Sequence, residues 1–185
     1  MTIPNLLTLI RLMATPGVVA LIYWTSEPAA WGAFILFILA MVTDGLDGVL
    51  ARRLNQVTPL GTFLDPVVDK VILLSLFIVL ADLRIIPVWM ALLMLARELV
   101  VDGVRQAGAL QRQLVGANFM GKTKAWMQSL CVGIALAMRC LKFSPDIVQF
   151  WVTLVTGLTL LVAWTFAFVF LYWNRSILLA RVTTL

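Results

Sequence analysis

The chain has 185 residues, of which 62% are hydrophobic and only 12% are charged. A soluble domain carries close to half apolar residues and about a quarter charged ones, so this composition excludes an ordinary soluble protein and predicts an all-α integral membrane protein. Each helical crossing needs about 20 apolar residues, so the crossings use most of the chain and we expect one transmembrane domain over residues 1–185. The chain has no histidine, which excludes the commonest general base and most zinc sites.

Six apolar segments follow one another along the chain, separated by clusters of charged residues, proline and glycine. They cover residues 6–25, 30–51, 60–81, 85–104, 121–141 and 147–173. Each segment is long enough to cross a bilayer as a helix. We therefore predict six transmembrane helices.

The distribution of lysine and arginine predicts the orientation of these helices. If the N-terminus is cytoplasmic, nine basic residues lie on the cytoplasmic side and only Arg84, Arg139 and Lys142 lie outside. This positive-inside bias predicts cytoplasmic termini in a multi-pass protein of the cell (inner or plasma) membrane. A basic face against anionic membrane lipids explains the net charge of +5 without any nucleic-acid partner.

Four aspartates lie at the cytoplasmic ends of the second and third segments, where an unpaired carboxylate is costly. Asp44 and Asp47 are three residues apart, and Asp65 and Asp69 are four apart, so each pair projects from one face of its helix. The short connection over residues 53–58 predicts that the two helices are antiparallel neighbours. We therefore expect the two acidic faces to meet.

Four clustered carboxylates repel one another unless cations join them. Only Arg52 and Lys70 are close in sequence, which is too little positive charge. Oxygen ligands without cysteine or histidine suit Mg²⁺ or Mn²⁺, and two such ions could clamp a pyrophosphate. Structural ion pairs, or a proton or cation pathway in a transporter, are the alternatives. A transporter is less favoured because all four acids lie toward one membrane face.

The acids belong to a longer pattern of fixed spacing, which is Asp44-x-x-Asp47-Gly48-x-x-Ala51-Arg52, eight residues, Gly61, three residues, Asp65, three residues, Asp69. This pattern resembles the signature of the CDP-alcohol phosphotransferase family at every defining position. The resemblance implies a six-helix membrane bundle that transfers a substituted phosphoryl group from a CDP-linked donor to an alcohol and releases CMP. It also implies that Asp44, Asp47 and Asp65 hold two metal ions and that Asp69 completes the site and acts as the general base.

The same resemblance implies a pocket for the cytidine diphosphate. Gly48, Ala51 and Arg52 would line this pocket, and Gly61 would lie near the phosphates. Small residues leave room for a ligand, although close packing of helices is the alternative explanation for the glycines. In the first segment, Asn5, Thr8 and Arg11 form a polar stripe, which indicates either contact with the nucleotide or a position at the membrane interface.

Further segments resemble the bacterial members of this family that use glycerol 3-phosphate as the acceptor. They are Ile3-Pro4-Asn5-Leu6-Leu7-Thr8-x-x-Arg11, Phe63-Leu64-Asp65-Pro66-x-x-Asp69-Lys70, Ala96-Arg97-Glu98 with Arg105, and Gly121-Lys122-x-Lys124. This resemblance implies CDP-diacylglycerol as the donor and membrane lipids as the surroundings. Serine, an inositol phosphate or phosphatidylglycerol remain alternative acceptors, and the family resemblance makes a homodimer possible.

A phosphorylated acceptor agrees with the basic residues of the fourth and fifth segments. A phosphate dianion needs several cations, and arginine offers paired donors. The candidate phosphate ligands are Arg97, Arg105, Lys122 and Lys124. The alternative is that Arg97 and Arg105 pair with Glu98 and Asp102. Lys70 is either a charge balancer beside Asp69 or a side chain that extends to the interface.

Overall fold

The computed structural model describes residues 3–53, 59–111, 119–175 and 177. Within these ranges, positions 3–5, 45–53, 59–60, 62–63 and 119–120 are described by their backbone alone. All regular secondary structure in the described ranges is helical. The six helices are α1 (Ile3–Tyr23), α2 (Glu27–Arg53), α3 (Pro59–Asp82), α4 (Val88–Leu110), α5 (Phe119–Cys140) and α6 (Pro145–Trp173). The predicted all-helical class and helix count are therefore confirmed.

Most helix ends lie close to their predicted positions. The Ser26 hydroxyl accepts a hydrogen bond from the backbone N–H of Ala29 at 3.3 Å at the start of α2, as expected for a residue preceding a helix. Helix α6 begins at Pro145, where the fixed φ of proline suits the first turn. The largest difference is in α4, which continues to Leu110, whereas the predicted span ended at residue 104.

The six helices form a closed ring. Following the contacts, α1 packs against α2, α2 against α5, α5 against α6, α6 against α4, α4 against α3 and α3 against α1. Helix α3 also contacts α5 across the ring. The side chains that fill the centre come from five helices and are Phe37, Phe77, Met94, Val132 and Val152.

The two acidic helices both pack against α1. Within the described ranges no Cα atom of α2 lies within 8 Å of one in α3, and α1 packs against both. The predicted backbone packing of α2 against α3 is therefore not seen among the described residues, although Asp44 of α2 and Asp69 of α3 reach the same nitrogen of Arg11. A connection of five residues can extend to about 20 Å, which is about twice the distance of 8–10 Å between packed helices. The connection is thus long enough for the backbones of α2 and α3 to stand apart while α1 packs against both.

The outer surface of the ring is apolar. Among the described residues, three segments are long and apolar enough to cross a membrane: Leu6–Tyr23, Glu27–Asp44 and Pro145–Trp173. Helices α3, α4 and α5 carry the charged residues of the site described below, yet Ile78 of α3 and Leu92 of α4 are more than half exposed on their outer faces. The apolar helices indicate a membrane protein; six crossings stay a prediction.

Polar contacts tie the helices together at the end of the bundle opposite the aspartates. The Tyr23 hydroxyl donates to Asp82 Oδ2 at 2.6 Å, which joins α1 to α3. Lys142 Nζ donates to Glu27 Oε2 at 2.6 Å, which joins the loop before α6 to α2. The side chains of Lys142 and Glu27 are more than half exposed.

Candidate active site

Three of the four aspartates converge on a single guanidinium group. Arg11 of α1 donates from Nη1 to Oδ1 of Asp44 in α2 and to Oδ1 of Asp69 in α3 at 2.9 Å. Its Nη2 lies 3.9 Å from Asp65 Oδ1, and Thr8 Oγ1 donates to the same Asp65 oxygen at 2.6 Å. The three described acids therefore meet as predicted, with Arg11 of α1 among them.

The sequence places Arg11 on the polar stripe of α1 but does not show that it pairs with the aspartates. Sequence proximity points only to Arg52 and Lys70 as compensating charges. The side chain of Arg11 is only 2% exposed, and a buried cation in an apolar helix needs anionic partners. That rule, together with the shared stripe of Thr8 and Arg11, was the signal that could have identified it.

The carboxylates suit a hard divalent cation. The side chains of Asp44, Asp65 and Asp69 remain 37–43% exposed, so these carboxylates are accessible to a ligand. Mg²⁺ and Mn²⁺ prefer such oxygen ligands. In the part of the chain that the structure describes, no three acidic or cysteine side chains form a metal-binding group; the side chain of Asp47 lies outside it.

A cavity of about 370 Å³ opens beside the acidic cluster. Its walls come from α2, α3, α4 and α5. The charged residues that line it are Asp44, Asp69, Lys70, Arg97, Glu98, Asp102, Arg105, Lys122 and Lys124. One cavity therefore joins two of the predicted metal ligands to all four predicted phosphate ligands.

A buried group of three charged residues forms part of the basic wall. Glu98 Oε1 accepts hydrogen bonds from Arg97 Nη1 at 3.1 Å and from Lys124 Nζ at 2.5 Å. Arg97 Nε also donates to the backbone carbonyl of Ala163 at 3.3 Å. The predicted alternative pairing of Arg97 with Glu98 is therefore present, and Lys124 shares the same carboxylate. These three side chains carry a net charge of +1 at the wall.

Arg105 and Lys122 have no carboxylate partner among the described residues. The buried Nε of Arg105 lacks a hydrogen-bond partner there, and its guanidinium lies 5.7 Å from the centre of the Phe170 ring. The alternative pairing of Arg105 with Asp102 is wrong, because Asp102 pairs with Lys70 at 2.6 Å. Lys70 thus balances an acid of α4 rather than the aspartate cluster.

The remaining predicted residues are only partly described. Gly61 is buried on α3, one turn before Asp65. The side chains of Asn5, Asp47, Ala51 and Arg52, and the surroundings of Gly48, lie outside the described residues. Their predicted roles stay predictions.

Comparison with known proteins agrees with the architecture and the acidic pattern. Residues 1–169 match the model of the CDP-alcohol phosphatidyltransferase family. A protein of Bacillus subtilis (strain 168), named CDP-diacylglycerol–glycerol-3-phosphate 3-phosphatidyltransferase, is 35% identical over 156 residues, which are 76% of this chain and 79% of that protein.

Two further relatives carry the same name. The protein of Rickettsia bellii is 38% identical over 135 residues, covering 71% of this chain and 73% of its own. The protein of Cereibacter sphaeroides is 36% identical over 137 residues, covering 72% of this chain and 62% of its own. The chain therefore belongs to the CDP-alcohol phosphatidyltransferase family and is a transferase of phospholipid biosynthesis.

Proposed function

We propose that the chain transfers the phosphatidyl group of CDP-diacylglycerol to a hydroxyl of sn-glycerol 3-phosphate, giving phosphatidylglycerol phosphate and CMP. The names of the relatives support this reaction. The observation that carries it is the cavity in which Asp44 and Asp69 face the same space as Arg105 and Lys122. The acidic residues suit the metal ions that an activated diphosphate needs, and the basic residues suit the phosphate of the acceptor alcohol.

The acidic wall holds the metal ions. We assign Asp44, Asp47, Asp65 and Asp69 as ligands of two Mg²⁺ or Mn²⁺ ions, because their carboxylates are hard oxygen donors. When bound, such ions neutralise the diphosphate and stabilise the departing CMP. The hydrogen bond from Thr8 fixes one oxygen of Asp65 and so orients that ligand.

Asp69 is the general base of the proposed reaction. The acceptor hydroxyl oxygen bonds to the phosphorus that carries diacylglycerol, and the bond from that phosphorus to the bridging oxygen breaks. CMP leaves with the bridging oxygen and its electron pair, while the hydroxyl proton moves to the Asp69 carboxylate. Asp69 lines the cavity between the acidic cluster and the basic wall, where the acceptor hydroxyl has to lie.

The nucleotide pocket adjoins the acidic cluster on α1, α2 and α3. Its proposed residues come from the family pattern and the N-terminal stripe and are Asn5, Thr8, Gly48, Ala51, Arg52 and Gly61. Gly61 is buried one turn before Asp65, a proposed metal ligand. This position supports its placement near the phosphates.

The basic wall selects a phosphorylated acceptor. Arg105 and Lys122 are the cations that approach the phosphate directly, because no carboxylate of the described chain neutralises them. Arg97 and Lys124 contribute through the net positive charge that remains after pairing with Glu98. Serine or glycerol would leave Arg105 uncompensated in a partly buried position, which disfavours binding.

In the membrane, we propose that all six helices cross the bilayer, with both termini and the active site on the cytoplasmic side of the cell membrane. The charges of α4 support six crossings, because Arg97 and Glu98 are buried in the bundle, while Leu92 and Leu99 face outward. A homodimer is a further expectation from the family, which light scattering in detergent would test.

The reaction is tested by CMP release from the purified protein in detergent with CDP-diacylglycerol and Mg²⁺ or Mn²⁺. Glycerol 3-phosphate, glycerol, serine, an inositol phosphate and phosphatidylglycerol are offered separately. We expect release with glycerol 3-phosphate alone. Equal release with glycerol or serine would contradict the assignment of the basic wall, and release with none of the acceptors would contradict the proposed reaction.

A further inference from the structure

The centre of the acidic cluster is occupied by a cation of the chain itself. Arg11 donates to Asp44 and Asp69 through the same nitrogen, Nη1, and approaches Asp65 with Nη2. Its side chain is almost fully buried, whereas the three carboxylates remain partly exposed. The guanidinium therefore approaches from the protein side, and the cavity side of the carboxylates stays accessible.

The charges explain why the acids can converge before any metal binds. Three carboxylates and one guanidinium carry a net charge of −2. The repulsion within this group is therefore weaker than among the three acids alone, which carry −3. Arg11 also links three helices, because it extends from α1 to Asp44 of α2 and Asp69 of α3. It thus keeps the ligands of two helices together at a point where, among the described residues, the backbones of those helices are not in contact.

The hydrogen bonds of Arg11 use the oxygens that a metal ion would need. Oδ1 of Asp44 and Oδ1 of Asp69 both accept hydrogen bonds from it, and a divalent ion binds through the same lone pairs. An ion that enters beside the guanidinium also meets its positive charge at short range. Both effects oppose metal binding to the free protein.

We propose that Arg11 is the resident counter-ion of the metal site, which holds the carboxylates together in the metal-free protein and competes with the divalent ions for them. This inference rests on the proposed function, because it takes the aspartates as metal ligands. Arg11 is a positioning residue in this account. It stabilises the metal-free state and lowers the affinity of the free protein for the metal.

The test is Mn²⁺ binding in the absence of both substrates, followed by the electron paramagnetic resonance of free Mn²⁺. Wild type, Arg11→Gln and Lys142→Gln are compared. Lys142→Gln removes the same charge from an exposed ion pair at the opposite end of the bundle, so it controls for net charge. We expect Arg11→Gln to bind Mn²⁺ at least about tenfold more tightly than wild type, because a unit charge within a few ångströms is worth more than one tenfold step even when partly screened. Lys142→Gln should change the affinity less than about twofold, since distant exposed charges are screened.

Thermal melting with and without Mn²⁺ covers the case in which Arg11→Gln is unstable. The proposal predicts a lower melting temperature than wild type without the ion and recovery to the wild-type value at saturating Mn²⁺. A residue needed only for helix packing would leave the variant unstable with the ion as well, and that result would overturn the proposal. Unchanged or weaker Mn²⁺ binding by Arg11→Gln would also overturn it, without affecting the proposed reaction. Absence of Mn²⁺ binding in every protein would overturn the proposal as well, while the proposed reaction is tested separately by CMP release.

Discussion

The buried carboxylate of Glu98 gives a prediction whose size follows from its surroundings. Glu98→Gln keeps the shape of the side chain but removes the negative charge that Arg97 and Lys124 share. The side chains of all three residues are at most 8% exposed, so solvent cannot replace the lost partner. Breaking a buried ion pair by removing one member costs about 3–5 kcal/mol. The amide oxygen can still accept a hydrogen bond, so we expect a loss of about 3 kcal/mol in the free energy of unfolding.

The matched control is Glu27→Gln, which makes the same change in an ion pair whose side chains are 56–68% exposed. Exposed pairs contribute at most about 1 kcal/mol. The free energy of unfolding of both variants is measured by equilibrium unfolding in mixed micelles of a mild detergent and dodecyl sulfate. Adding Lys124→Met to Glu98→Gln removes one of the uncompensated charges and should restore part of the lost stability. Equal losses for Glu98→Gln and Glu27→Gln would refute the reasoning that burial makes Glu98 essential to the basic wall.

The remaining predictions concern catalysis and ligand binding. Asp69→Asn should leave binding of the CDP-lipid nearly intact and abolish turnover; retained CMP release would contradict its role as the base. Arg105→Gln should raise the KM for glycerol 3-phosphate by about tenfold or more, since a charge-assisted contact contributes about 1.5–3 kcal/mol. The control Arg84→Gln, which changes an exposed arginine, should leave this KM unchanged. Equal KM values for the two variants would argue against a phosphate at Arg105. Thr8→Val removes one hydrogen bond to Asp65, which is worth about 1 kcal/mol. The variant should therefore bind Mn²⁺ about fivefold more weakly. An unchanged affinity would show that Thr8 does not orient Asp65.

The sequence allowed the helices, and the placement of each aspartate pair on one helix face, to be predicted because both depend on local spacing. Apolar segments and their charged breaks set the helix boundaries to within a few residues for α2, α3 and α6. The three- and four-residue spacings of the aspartates placed each pair on one face of its helix. These features depend on residues that are close together in the chain.

The features that sequence reasoning missed depend on which helices pack together. The packing of α1 against both α2 and α3 brings Arg11 to Asp44 and Asp69 from more than 30 residues away. Helical spacing favoured the pairing of Asp102 with Arg105, yet Lys70 of the neighbouring helix takes Asp102. Local periodicity cannot show this choice, because the packing of α3 against α4 determines it.

The central claim is that the aspartates of α2 and α3 bind divalent ions in the same cavity in which Arg105 and Lys122 bind the phosphate of the acceptor. The most direct measurement is the anomalous diffraction of Mn²⁺ in crystals grown with a CDP-lipid and glycerol 3-phosphate. The account predicts manganese peaks at coordination distance from the carboxylates of Asp44, Asp65 and Asp69, and acceptor phosphate density at Arg105. Manganese bound elsewhere, or an acceptor phosphate away from Arg105, would contradict it.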